Sequence, residues 1–186
     1  MTAAQATTEP TAAPTFRVRR ARTSDVAAIK RLVAPLADRR ILISKESVAY
    51  FESIQEFRVA ETEGGELIGC GALHVMWEDL AEVRTLAAAD SWRGRGVGHA
   101  LVERLLADAS DVGVQRVFCL TFEVGFFERH GFEVMADQSA VDPEVYSELL
   151  RSSDEGVAEF LDLARVKPNT LGNTRMIKWL AGRARE

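Results

Sequence analysis

Residues 81–122 read as strand, glycine loop, amphipathic helix and strand, an order that leaves few folds open. The run "AEVRTLAAA" (81–89) is strand-like, and the loop after it places Arg93, Gly94, Arg95, Gly96 and Gly98 within six positions. A helix then extends to about residue 112, with Leu101, Val102, Leu105, Leu106 and Ala109 on one face. Beyond Gly113, "VQRVFCLTF" (114–122) is almost continuously apolar, as expected of a strand covered on both sides. Two strands joined through a helix make a right-handed crossover, which predicts a parallel pair at the heart of an α/β sheet.

The remaining pattern adds strands and helices around that unit. Alternation in "FRVRRA" (16–21) predicts a first strand, and Thr23 or Ser24 is placed to cap a helix carrying Val26, Ile29, Leu32 and Val33. Asp25 suits the positive start of that helix, and Pro35 sits near its end or kinks it. A short helix is predicted over 44–55, and strands over 56–61 and 67–77 form a hairpin through "EGGE". One or two helical turns over 126–130, a strand over 132–136, a helix over 143–151 and a final strand over 174–180 complete the expectation. The 186 residues suit one domain over 16–180, with residues 1–15 expected as a disordered tail and 181–186 as a short C-terminal tail.

Several classes of function are set aside by composition. A formal net charge of -5 argues against a general binder of nucleic acid or anionic membrane, because either needs a basic face. The apolar run 67–77 is too short to span a bilayer. The N-terminus lacks the basic start and apolar core of a secretory signal, and Cys70 and Cys119 have no paired-ligand spacing. A cytoplasmic protein with reduced core cysteines and no metal is therefore expected. His74 and His130 likewise have no partner at metal-ligand spacing.

A helix start leaves N–H groups unpaired and carries about +0.5 of a charge, so a glycine loop entering it can wrap a phosphate group. Arg93 and Arg95 can add charge-assisted contacts, and His99 in the first helical turn either touches phosphate or is simply exposed. The loop lacks the lysine of a nucleotide-triphosphate P-loop, and no dinucleotide fingerprint follows the first strand.

Arg93-x-x-Gly96-x-Gly98, with "RTLAAAD" before it, an amphipathic helix after it and "FFERHGF" (126–132) beyond, resembles the Gcn5-related N-acetyltransferase family. The resemblance spans about 16–180 and implies a mixed central sheet of six or seven strands, splayed at its centre and flanked by helices. It implies acetyl-coenzyme A as co-substrate, its pyrophosphate held by the amides of Arg93, Gly94, Arg95, Gly96, Val97, Gly98 and His99. It further implies that Leu86, Ala87 and Ala88 bulge and offer backbone groups to pantetheine and the acetyl carbonyl.

Acetyl transfer to an amine needs a base for the ammonium. Glu82 and Arg84 lie two apart on one strand face, which suggests Glu82 as base, acting through water, and Arg84 as anchor for a substrate carboxylate. A salt bridge at the strand end is the alternative. Where the family often has a thiolate-protonating tyrosine, this chain has Phe127; Thr121 or Tyr146 could assist by hydrogen bonding, and water suffices for a thiol of pKa near 8.5. Cys119 as a nucleophile competes with Cys119 as core.

Within the family, "ILISKESV" (41–48), "AEVRTLAA", "FCLTF" (118–122) and "PNTLGNTRMIKWL" (168–180) are similar to the acetyltransferase portion of arginine-biosynthetic N-acetylglutamate synthases. That similarity implies L-glutamate as the acceptor, surrounded by Leu42, Lys45, Arg84, Asn169, Thr174 and Arg175. An acetyltransferase for another amine and a non-catalytic acetyl-coenzyme A sensor are the competing expectations. A homodimer through the last strand or residues 143–163 is a further one.

Overall fold

The structure, a computed structural model, describes residues 15–43, 45–135, 142–161 and 172–180. Its elements run β1 (Phe16–Arg20), α1 (Val26–Asp38), α2 (Ser47–Glu52), β2 (Phe57–Thr62), β3 (Leu67–Trp77), β4 (Leu80–Ala88), α3 (Val97–Val112), β5 (Arg116–Thr121), α4 (Val124–Glu128), β6 (Glu133–Val134), α5 (Pro143–Leu149), α6 (Glu155–Phe160) and β7 (Thr174–Trp179). The expected tails and Asn169 lie outside the described residues.

The strands form one mixed sheet in the order β1-β2-β3-β4-β5-β7-β6, as the family resemblance implies. Strands β4 and β5 are the parallel pair, but they hold together only over Leu80↔Arg116, Ala81↔Val117 and Glu82↔Phe118. Past Glu82 the two part. β5 continues with β7 on its other edge, from Arg116↔Trp179 to Thr121↔Thr174, and β4 continues with β3 to Gly69↔Ala88. The register between β3 and β4 shifts between Cys70 and Ala72, opposite Ala87 and Arg84, and Thr85 there has φ +55°, a strained value for a β-branched residue.

Period-two alternation assigns the two faces. Ala81, Val83, Val117 and Cys119 pack beneath α3 with Val102, Leu105 and Ala109, and with Phe127 and Phe132. On the opposite face Val59, Cys70 and Ala72 meet Val26, Ile29 and Val33 of α1, while Leu80 and Phe118 meet Leu149, Val157 and Phe160 of α5 and α6. Glu82, between Ala81 and Val83, therefore points to the α5–α6 side.

Four expectations shift. Thr23, Ser24 and Asp25 form a 3-10 turn and Asp25 occupies the cap position of α1, its carboxylate bound to the Arg22 N–H (2.7 Å) and to Arg19 (2.7 and 3.1 Å). Helix α2 is shorter than 44–55 because Glu46 is extended (ψ 155°) and a 3-10 turn, Ile54–Glu56, follows. The expected strand 132–136 is reduced to Glu133–Val134. Helix α6, unforeseen, begins where the Asp154 carboxylate accepts the N–H groups of Gly156 (2.8 Å) and Val157 (3.2 Å).

Candidate active site

The glycine loop takes the conformation its composition allows. Gly94 and Gly96 have φ of +74° and +82°, and Gly96 stands at the N-cap of α3. The first bond closing the helix runs from the Ala100 N–H to the Gly96 oxygen (2.9 Å), so the N–H groups of Val97, Gly98 and His99 emerge from the helix start with its positive end. At Gly98 a Cβ would stand 3.3 Å from the Phe126 ring, so glycine lets α4 seat against α3. Arg93 is exposed with Asp90 at 3.9 Å, and the Arg95 guanidinium lies 5.3 Å from the centre of the Trp92 ring. Leu86, Ala87 and Ala88 lie beyond the last β4–β5 pair, along the opened seam.

The histidines have partners that their spacing did not reveal. His99 Nδ1 lies 2.8 Å from His130 Nε2, and the His99 ring packs on Phe126. Among the described residues, no group of three or more His, Cys, Asp or Glu is placed to hold a metal ion.

Below the seam, on the α5–α6 side, lies a cleft of about 800 Å³. Leu42, Lys45, Glu82 and Arg84 line it together, as the sequence led us to expect; Glu56, His74, Asp154, Gly156 and Asn173 line it unforeseen. Glu82 is 5% exposed, and its Oε2 is buried without a hydrogen-bond partner. Burial pushes its pKa up to about 7; Asp154 adds to the rise, while Arg84, His74 and Lys45 oppose it. Arg84 lies 3.8 Å from Glu82 and is bound more closely by Asp154 (2.8 Å) and Glu56 (3.2 Å). The salt-bridge alternative is thus realised for Arg84, with partners from two other elements. Against their burial, His74 and Arg84 hold Glu56 below the ordinary carboxylate range, and Arg84 does the same for Asp154. Burial first, then Arg84, lowers the Lys45 pKa.

Other expected residues lie elsewhere. The Thr121 hydroxyl accepts the Glu123 N–H (2.8 Å) where the chain enters α4, and Thr121 does not line the cleft. Thr174 and Arg175 lie on β7 opposite Thr121 and Leu120, and Asn173 beside them reaches the cleft with its Oδ1 buried and unbonded. Phe127 is buried against Phe126 and Phe132, and Tyr146 packs with the α5–α6 cluster. Cys70 and Cys119 are buried thiols whose pKa values burial raises, to about 12 for Cys70.

One of the missed residues had a signal: Asp154 directly before Glu155 is an unread helix cap. His74 comes opposite Glu82 through a register shift between Val75 and Trp77, which the turn alone does not encode.

Comparison with known proteins agrees with this geometry. The pattern of the acetyltransferase (GNAT) family matches residues 35–132. An amino-acid acetyltransferase of Mycobacterium tuberculosis is 56% identical over 162 residues, covering 86% of this chain and 92% of that protein. An amino-acid acetyltransferase of Neisseria meningitidis is 30% identical over 122 residues, 64% of this chain but only 28% of its own length. Among solved structures, Rv2747 of M. tuberculosis in complex with CoA superposes with a TM-score of 0.83 at 55% identity, covering 88% of this chain and 99% of that one. The N-acetylglutamate synthase of Neisseria gonorrhoeae shares the fold, with a TM-score of 0.70 at 22% identity over 90% of this chain and 36% of that one.

Proposed function

This chain belongs to the acetyltransferase (GNAT) family, and from that premise we propose that it moves the acetyl group of acetyl-CoA to the amine of L-glutamate, the first step of arginine synthesis, in the cytoplasm. The observation that carries the reading is Glu82: a buried carboxylate with a pKa near 7, in a cleft with Lys45 and Arg84, at the point where β4 and β5 part. A base poised near neutrality can take a proton from an ammonium group and release it again each turnover.

In this mechanism the amides at the start of α3, with Arg93 and Arg95, hold the diphosphate, and Leu86 to Ala88 align the thioester along the seam. Lys45 and Arg84, with Leu42 in the same cleft, surround the acceptor. Glu82 removes one proton, directly or through water; the freed amine attacks the thioester carbonyl, and collapse of the tetrahedral adduct breaks the C–S bond. The amine's second proton passes to water as the amide forms, and the thiolate takes a proton from the same solvent, since Phe127 has none to give. The relative named amino-acid acetyltransferase and the CoA-bound structure at 55% identity support this reading.

The test is a screen of amino acids with acetyl-CoA, scoring thiol release and the acetylated product by mass spectrometry. Release that saturates with glutamate supports the assignment. Turnover only with lysine, peptides or polyamines would reassign the acceptor, and CoA binding without turnover on any amine would make the protein a sensor.

A further inference from the structure

The main cation of the cleft already carries two carboxylates. Arg84 Nη1 bonds Asp154 Oδ2 at 2.8 Å, and Arg84 Nη2 bonds Glu56 Oε2 at 3.2 Å. Glu56 is fastened in turn by His74 Nδ1 at 2.9 Å. Asp154 has His74 Nε2 at 3.7 Å from its Oδ2, and its Oδ1 caps α6 through the N–H groups of Gly156 and Val157. The backbone of Gly156 in turn lies on the base, because a Cβ there would collide with the Glu82 carboxylate, and Glu82 Oε2 is shut off without a hydrogen-bond partner. One side chain therefore joins the proposed carboxylate anchor to the cover of the proposed base.

We propose that Asp154 is a specificity-determining residue, a resident carboxylate that the acceptor's own carboxylate replaces on Arg84, drawing Gly156 off Glu82 as it leaves. This rests on the reading of the cleft as an amino-acid site with Arg84 as an anchor. The physical ground is an exchange of like for like. A half-buried guanidinium that gives up one carboxylate for another keeps its charge-assisted bond, whereas losing Asp154 with nothing in return leaves that bond unmade and only the longer one to Glu56 in place. An amine without a carboxylate offers no such exchange, so Asp154 stays and Gly156 stays on the base. Selectivity then comes from retention of the cover as well as from a missing contact. Lys45, which makes no hydrogen bond or ion pair among the described residues, receives the acceptor beside Arg84.

The test replaces the charge and keeps the cap. Asp154→Asn and Asp154→Ser both retain a side-chain oxygen for the Gly156 and Val157 N–H groups; the first then turns toward Arg84 an NH2 group that cannot accept its bond, and the second is too short to reach it. Both variants are expected to lower KM for L-glutamate, and Ki for glutarate, by about tenfold. Glutarate is the acceptor skeleton without its amine, so it reads the exchange apart from catalysis. The acid limb of the kcat profile is expected to move to lower pH, because Glu82 loses a neighbouring negative charge. If both variants fold and bind CoA normally yet leave KM and Ki unchanged or raised, the proposal is overturned. If the unmodified enzyme acetylates no carboxylate-bearing amine, the acceptor assignment fails instead, and glutarate binding by calorimetry still decides whether Asp154 competes for Arg84.

Discussion

At the scale of single residues the site turns on a carboxylate that the fold holds at a cost. Glu82 titrates near 7 in place of about 4.5, so between those values the folded chain binds a proton that the unfolded chain has released. Stability contributed by this group therefore falls as pH rises through that window, and the full penalty, about 3 kcal/mol, is present above pH 7. Glu82→Gln carries no such titration. Urea unfolding is expected to show the variant gaining stability over the parent between pH 5 and pH 8 by up to that amount. Its kcat is expected to fall by roughly 10²- to 10⁴-fold, the usual worth of a positioned base. A variant that is inactive but unchanged in relative stability across that range would place the charge of Glu82 elsewhere.

At the scale of elements, glycine decides two contacts. Gly96 opens α3 at φ +82°, where a β-branched residue costs about 1–2 kcal/mol and turns the neighbouring amides away from a common point. Gly96→Val is expected to weaken CoA binding by at least about tenfold by calorimetry, with the far-ultraviolet dichroism of the helices retained. Gly156 opens α6 against Glu82, where a methyl group must displace either the carboxylate or the helix. Gly156→Ala is expected to lose about 1–3 kcal/mol of stability to overpacking, measured by chemical unfolding at pH 5, where Glu82 is protonated.

At the scale of the whole molecule, α3 covers one face of the sheet and α1, α2, α5 and α6 the other, while the seam beyond Glu82 passes between. A ligand spanning that seam stabilises the folded chain by mass action, so CoA at a hundred times its Kd is expected to add about 2.7 kcal/mol and raise Tm by roughly 5–10 °C in a thermal melt. The crossover unit, the loop at Gly94 and Gly96, the β2–β3 hairpin and the packed faces of α1 and α3 were all legible in the residue order. Each obeys rules acting over a few positions: period two or 3.6, a positive φ that only glycine accepts cheaply, turn residues between two strand-like runs. Which charges would meet was not legible in that way. Glu56 precedes β2, His74 lies in β3 and Asp154 caps a six-residue helix that no apolar period announces, yet Glu56 and Asp154 converge on Arg84 and His74 joins the two carboxylates. The pKa of Glu82 follows from its burial at that meeting point, and burial belongs to the packed assembly of distant segments, since no local spacing encodes how much water a side chain keeps.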